Sequence, residues 1–586
     1  MSIENKGEVC YDLVNQYATG AEKGDNMQLL GRGNDPLFWQ QVREKEIFER
    51  YRDELLAFWR DSVKDHEIKS LSYSKWKLFW QTGDRGEYEG DYFYRRRCVE
   101  RTTVLALIYP EEKQYTDKLM DLIFAICDEY TWCLPAHQGQ NEKNDNSRLD
   151  LFATETGFYL SIIYTLLSDR LDEVIKDRIR VEIDRRIVST LLSCENYGWW
   201  ETGTSNWTAV CVGSIGCTLM LMRPELMTDK MIKRLTVAMD GFLRGFADDG
   251  ICTEGCGYWA YGVSFFVQFA DMLRTFTHGE IDYFKHPKMK AIASFPQKMV
   301  LSGKAAVSFA DGNRQLEYTF GVMHRLKAEY PDDVLIYSPE YGTFDIGCGR
   351  LSIRLFGAVW MNEEYYLNPA DNTIAFESYA ANTQWLTKRT ASYGFAAKAG
   401  HNKELHNHND VGSFIFAKNG RQLLVDTGAG RYTRQYFSSE RYGIFEPSSR
   451  SHSVPVVNGE YQMVGEEYSA YNVEYSAGVF SMDIAGAYPK SGVTSIHRTF
   501  LMNDDAVRLT DKYVMGEDDV VVERFVTDVE PTLTSSDTIL IGDATVRFDP
   551  TSAELTVNTE DGSSGKYYLL DFTLKRGIKE FGIEIK

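Results

Sequence analysis

Nowhere does the sequence reach the ~20 consecutive apolar residues that a membrane span needs, and its first residues, Met1 to Tyr17, carry charges where a secretion signal has an apolar run. A soluble, cytoplasmic protein is therefore expected. An excess of basic residues is also missing: 64 Lys and Arg face 85 Asp and Glu, a net charge of -21. That balance argues against a general binder of nucleic acid or anionic membrane, and leaves an anionic ligand dependent on a local basic pocket. None of the ten cysteines (Cys10, Cys98, Cys127, Cys133, Cys194, Cys211, Cys217, Cys252, Cys256, Cys348) forms a C-x-x-C pair. Buried free thiols are expected in preference to a redox or cysteine–metal centre. Low-complexity linkers are absent too.

What is present is a chain of 586 residues, 43% hydrophobic and 13% aromatic, too long for one core. From Asp35 to Pro331 the pattern is helical. Phe38, Val42, Ile47, Tyr51, Leu55 and Phe58 recur at the spacing of one helix face. Comparable blocks run Thr116–Tyr130, Arg148–Leu167, Asp172–Leu192, Trp207–Met222, Asp229–Phe246, Tyr258–Phe276 and His286–Leu301. Past Pro331 the texture changes to short runs with Gly, Asn and Asp turns, among them Gly342–Gly357, Ala358–Leu367, Ser413–Asp426 and Val473–Ile484. These read as antiparallel strands packed face to face. A multidomain α+β chain follows, with a helical domain over 1–338 and a β-sandwich over 339–586. Periodicity leaves bundle, solenoid and closed α/α toroid equally open for the helical part.

The densest chemistry lies at His401–Asp426, HNKELHNHNDVGSFIFAKNGRQLLVD. Phe414–Phe416 and Leu423–Val425 read as strands joined at Asn419-Gly420, a strong hairpin signal. If His406 to Asp410 is extended, His406, His408 and Asp410 share one face. The hairpin would also return Asp426 toward the histidines. Imidazole and carboxylate suit zinc, and two ligand sets fit the spacing: His408, Asp426 and His452, or His408, Asp410 and His452 as a facial triad.

In the helical half, three loop-to-helix junctions concentrate polar and aromatic side chains: Trp132–Arg148, Tyr197–Trp207 and Asp248–Tyr261. Helix N-termini gathered on one rim would offer a sugar both aromatic platforms and polar groups. Trp199, Trp200 and Trp259 fit a core as readily as a platform. Asn206 could do no more than cap a helix starting at Trp207. His137 and Arg148 are candidate substrate contacts.

The segments His406-Asn407-His408-Asn409-Asp410-Val411-Gly412-Ser413-Phe414, Val425-Asp426-Thr427-Gly428 and Ser449–Gly459, with Ser205-Asn206-Trp207 and Glu254-Gly255-Cys256-Gly257-Tyr258, resemble the heparinase II/III-like polysaccharide lyases. The resemblance implies an (α/α) toroid followed by an antiparallel β-sandwich, with the active site in the cleft between them. It implies a structural zinc on His408, Asp426 and His452. It further implies β-elimination at a uronic acid of a glycosaminoglycan such as heparin or heparan sulfate, or of alginate. Roles carry over to Asn206 as donor to the uronate carboxylate, Tyr258 as acid and His406 as base on the opposite face of the sugar. Where several members carry a histidine after the asparagine, this chain has Trp207, assigned to substrate. Tyr261 could exchange roles with Tyr258, and a tyrosine among Tyr432, Tyr436 and Tyr442 could be the base. Arg389, Arg431 and Arg434 are candidates for uronate or sulfate, as is Tyr436 for substrate. The expected partner is an acidic oligosaccharide, and a homo-oligomer is compatible with the sequence. Other readings are a glycoside hydrolase using Asp248, Asp249 and Glu254, a catalytically silent carbohydrate-binding protein, and, last, a metal-dependent oxygenase.

Overall fold

The computed structural model describes residues 26–138, 147–195 and 197–586. Cys10 and the N-terminal stretch lie outside them. The other nine cysteines are free thiols, as expected, and among the described residues no helix is long and apolar enough to cross a membrane. The chain divides into two compact units, each discontinuous in sequence. One comprises Met1–Phe246, Trp259–Lys290 and Tyr318–Pro369; the other comprises Ala247–Tyr258, Ala291–Glu317 and Ala370–Lys586.

The first unit is helical. Asp35 opens Pro36–Glu44 by accepting from the Leu37 N–H, Asp150 opens Leu151–Leu167 through Ala153, and Thr228 opens Asp229–Arg244 through Met231. Helix Asn206–Met222 is buried on nearly every side, which explains why it carries no charged residue. The helix expected to run from Phe38 to Phe58 is interrupted at Lys45, where ψ is 141°, and restarts as Glu49–Phe58. The longest helix, Gly86–Ile108 with 23 residues, gives no periodic signal because it buries charge in place of an apolar stripe. Arg95 and Arg96 bind Glu129 at 2.9 and 2.7 Å, and Glu100 binds Arg354.

Two expectations about secondary structure fail. Gly342–Leu367, read as strands, contains helices Leu351–Val359 and Glu363–Leu367. Every residue of Leu351–Val359 is buried, so no face stays polar and the helical period is erased. The helix expected over His286–Leu301 is two short turns, Met289–Ala293 and Phe295–Lys298, followed by strand Val300–Ser302.

The second unit is built from antiparallel sheets. A five-stranded sheet runs in the order Arg421–Leu424, Phe414–Lys418, Gly394–Lys398, Trp385–Arg389, Phe376–Ala380. A sheet of eight strands spans Tyr471–Ile585, and one of four spans Val456–Leu574. Phe395, Phe414 and Leu423 of the first, Phe480, Phe500 and Ile583 of the second, and Phe525 and Phe572 of the third share one apolar core. The expected hairpin is present. Asn419 (φ 49°) and Gly420 (φ 77°) take the left-handed conformations that a two-residue turn between twisted strands requires, and Lys418 pairs with Arg421. A register shift between Gln422 and Leu424 bends the outgoing strand just ahead of Asp426.

Candidate active site

The segment carrying the histidines is a loop, not the extended strand that would align His406, His408 and Asp410. His406 is left-handed (φ 54°), and the three side chains diverge. Asp410 turns to Lys398, 2.8 Å away, and so leaves the facial-triad ligand set. His408 turns to His452, Nδ1 to Nε2 at 3.2 Å, and the His452 Nδ1 lies 3.0 Å from Asp426. One donor atom from each of His408, Asp426 and His452 falls within 4.8 Å of the others, and all three residues are buried.

Those residues fit a metal ion. The His408 Nε2 is taken by Asp311 at 3.1 Å, so its Nδ1 faces inward, an orientation that outer-sphere carboxylates commonly impose on metal-ligating histidines. Against the burial that would raise it, the adjacent imidazoles of His452 and His408 hold the Asp426 carboxyl below its ordinary value. Burial pushes the His408 imidazole down, toward the neutral form a ligand needs.

His406 faces the other way. Its Nδ1 lies 2.5 Å from Asp311 Oδ2, its Nε2 lies 3.6 Å from Glu254, and 21% of the side chain stays exposed. Asp311 thereby joins the two histidines: Oδ1 accepts from His408, from the Tyr436 hydroxyl at 2.5 Å and from Arg441 at 3.2 Å, while Oδ2 accepts from His406 and from Tyr432 at 2.9 Å. Burial would raise the Asp311 carboxyl, but the two imidazoles hold it well below the usual range. It is a carboxylate and accepts only. Tyr432 must then donate to it, and the Tyr432 oxygen is left to accept from Tyr258, 2.6 Å away. The Tyr258 ring packs on the His406 imidazole with centroids 4.3 Å apart. Burial pushes the Tyr258 hydroxyl up, so it keeps its proton, and burial also pushes the Glu254 carboxyl up.

Glycines let these loops meet. A Cβ on Gly255 would lie 2.7 Å from the Gly312 Cα, and one on Gly428 would lie 2.4 Å from the Gly312 oxygen. The contacts bring together the chain next to Glu254, next to Asp311 and two residues past Asp426. Arg441 completes the support. Its guanidinium donates to the carbonyls of His406, Asn407 and Tyr436 as well as to Asp311, which holds the left-handed turn from behind.

Other candidates are placed differently. Tyr436 is buried and spends its hydroxyl on Asp311, so it supports the site and does not offer itself to substrate. Arg389 is 5% exposed and donates to the carbonyls of Ile374 and Val300, which makes it a brace for backbone. Arg431 and Arg434 are exposed. Asp249 is consumed by the backbone of Asn382 and Thr383 through one oxygen and of Ile251 through the other, which removes one carboxylate from the hydrolase reading.

In the helical unit, Asn206 is the first residue of its helix and Ser205 holds the cap position, so Asn206 is no cap. It is 8% exposed. Next to it the Trp207 ring lies 4.8 Å from His137 and 5.1 Å from the exposed Trp199. His137 is oriented by Asp150 at 2.7 Å. Trp200 and Trp259 are core. The Tyr261 hydroxyl donates to Glu155, and Arg350 stacks on its ring at 4.0 Å, so it is committed elsewhere than Tyr258. Arg148 is half-buried.

Asp311, Glu254 as neighbour of His406, and Arg441 escaped the sequence reading. Asp311-Gly312 is a turn dipeptide, the one signal that could have drawn attention to it.

Residues 380–570 match the family described as Heparinase II/III-like, C-terminal, so the chain carries a domain of that kind. No curated protein matches it in sequence. Among solved structures, the heparan sulfate lyase HepC from Pedobacter heparinus aligns with 99% of this chain and 88% of its own at 12% identity and a TM-score of 0.56. A structure titled heparinase III aligns over 95% and 93% at 10% identity and 0.57. The chondroitin AC lyase of Streptomyces coelicolor A3, in complex with chondroitin sulphate, aligns over 98% and 82% at 10% identity and 0.52. At such identities the likeness is one of fold, a mixed helix-and-sheet architecture shared with heparinase and chondroitin lyase structures.

Proposed function

We propose that the chain is a polysaccharide lyase that cleaves uronic-acid-containing glycans, glycosaminoglycans first among them, by β-elimination. Its helical part takes the (α/α) toroid form and its sheets the antiparallel β-sandwich of the lyases it resembles. The observation that carries this reading is the chain of contacts Tyr258, Tyr432, Asp311, His406: a proton-bearing phenol and an oriented imidazole packed side by side.

The chemistry follows from those contacts. Asp311 accepts the Nδ1–H of His406, so the neutral ring carries its lone pair on Nε2. That nitrogen takes the proton from C5 of the uronate. The freed electron pair forms the C4=C5 double bond, the C4–O4 bond breaks, and Tyr258 supplies the proton to O4. The imidazolium so formed lies between two carboxylates, Asp311 and Glu254. The amide of Asn206 donates to the uronate carboxylate and offsets the charge that spreads onto it. His137 and Trp207 serve the sugar.

Base and acid in contact reach one face of the ring, in place of the opposite faces first expected. That selects a uronate whose C5 hydrogen and C4 oxygen lie on the same side, the D-glucuronate arrangement. Oligosaccharides containing glucuronate or its C5 epimer, incubated with the protein, should give an ultraviolet-absorbing unsaturated product from the glucuronate series. Binding without absorbance across the panel would overturn the reading in favour of a silent carbohydrate-binding protein.

The ion held by His408, Asp426 and His452 is zinc in this reading, supported by the two imidazole donors and one carboxylate. It fixes the loop that carries His406 and takes no part in the proton transfers. Elemental analysis should find one zinc per chain in the purified protein and none in His452→Ala; a zinc-free native protein of full stability would refute it. Action in the cytoplasm is supported by the nine free thiols, which suit a reducing compartment.

A further inference from the structure

Lys398 is fully buried, at the end of strand Gly394–Lys398 in the interior of the five-stranded sheet. Its backbone is paired to the segment leading into the neighbouring strand: the N–H donates to the Ser413 carbonyl and the carbonyl accepts from the Gly412 N–H. The ammonium lies 2.8 Å from Glu404 and 2.8 Å from Asp410, and 5.7 Å from the ring centre of Trp385. Both carboxylates are buried with it, Glu404 at 6% and Asp410 at 0% side-chain exposure. The other oxygen of Asp410 has no partner among the described residues, so Lys398 is the group that offsets its charge.

These two carboxylates bracket the loop that matters. Glu404 stands two residues before His406, and Asp410 two residues after His408. We infer that Lys398 is a positioning residue, a clasp that closes the 404–410 loop on the rigid sheet and sets His406 and His408 independently through its two arms. The Glu404 arm fixes the approach to His406, whose left-handed backbone Arg441 holds from the other side. The Asp410 arm fixes the exit from His408. A lysine suits the task because its three donors radiate from one point, so one head can serve two carboxylates that arrive from opposite ends of a loop.

The part of this inference that concerns turnover rests on the lyase reading; the part that concerns the metal does not. The test severs one arm at a time, measuring zinc per chain, melting temperature and the kinetics of elimination together. Glu404→Gln should keep its zinc and its KM while kcat falls about 10²-fold, the usual cost of misplacing a reacting group by an ångström. Asp410→Asn should weaken zinc binding about 10–100-fold, as loss of an outer support commonly does. Lys398→Met strands two buried carboxylates and can fail to fold; the triple variant Lys398→Met/Glu404→Gln/Asp410→Asn removes the charges together and should fold with both defects. Equal losses of zinc and kcat from either single arm, or a triple variant with native kcat and zinc, would overturn the clasp. Wild-type protein that binds zinc but eliminates nothing, with zinc lost only from Asp410→Asn, would sink the lyase reading and leave the metal arm standing.

Discussion

Tyr258→Phe should lower kcat about 10³-fold while leaving KM within a few-fold and the melting temperature nearly unchanged. The hydroxyl makes one hydrogen bond, to Tyr432, and a hydrogen bond of this kind contributes about 1 kcal/mol. Tyr432 keeps its stronger partner, the Asp311 carboxylate, when that oxygen is gone. The phenylalanine ring can stay against His406, so the base is not disturbed. What disappears is the proton that burial keeps on the hydroxyl beside His406, and general-acid catalysis is worth about 10²–10⁴-fold. A discriminating substrate is one whose group at C4 leaves as a stable anion, such as a nitrophenolate. Such a leaving group needs no proton, so the variant should recover most of its turnover on it. Native turnover of an ordinary oligosaccharide by Tyr258→Phe would remove Tyr258 as the acid; an equal loss on both substrates would move it to the base.

How far the sequence announces all this depends on the range over which each feature is encoded. The hairpin was legible because Asn419-Gly420 encodes its turn locally, and the metal set was legible as one of two alternatives because His408, Asp426 and His452 stand in histidine-rich or turn-rich surroundings. Spacing alone left Asp410 and Asp426 open and only the family resemblance favoured Asp426, since the choice turns on Lys398, a residue whose partners lie on both sides of a loop. Asp311 could not be read because locally it is marked only as a turn residue; its meaning comes from five donors on two distant segments, 406–408 and 432–441. The helices lost to the reading, Gly86–Ile108 and Leu351–Val359, are those whose burial abolishes the contrast between faces on which periodicity depends. Two of the candidates for substrate, Arg389 and Tyr436, are placed elsewhere for another reason. Arg389 and Tyr436 are polar residues suited to a ligand, and the fold spends them on a carbonyl or on Asp311.

The same convergence makes Asp311→Asn the most informative single change. Its two oxygens serve different clients, with His408, Tyr436 and Arg441 on Oδ1 and His406 and Tyr432 on Oδ2. An asparagine has one accepting oxygen, and three donors against two should draw it to the Oδ1 side. The amide N–H₂ then faces His406 and donates to Nδ1. That forces the imidazole proton onto Nε2, the nitrogen that must be free to accept from C5. The wrong tautomer behind an otherwise intact geometry costs about 10⁴-fold in the comparable aspartate–histidine pair of serine proteases, and a loss of that order in kcat is expected here. The metal should largely survive, because His408 keeps its acceptor; a decrease in affinity of about 10-fold is the expected limit. Asp311→Asn therefore predicts a zinc-loaded, folded and inactive protein, whereas Asp426→Ala predicts a zinc-free one. Kinetics and elemental analysis of the two variants in parallel decide the matter. If Asp311→Asn loses zinc as completely as Asp426→Ala, the carboxylate belongs to the metal centre alone; if it turns over normally, His406 is not the proton acceptor.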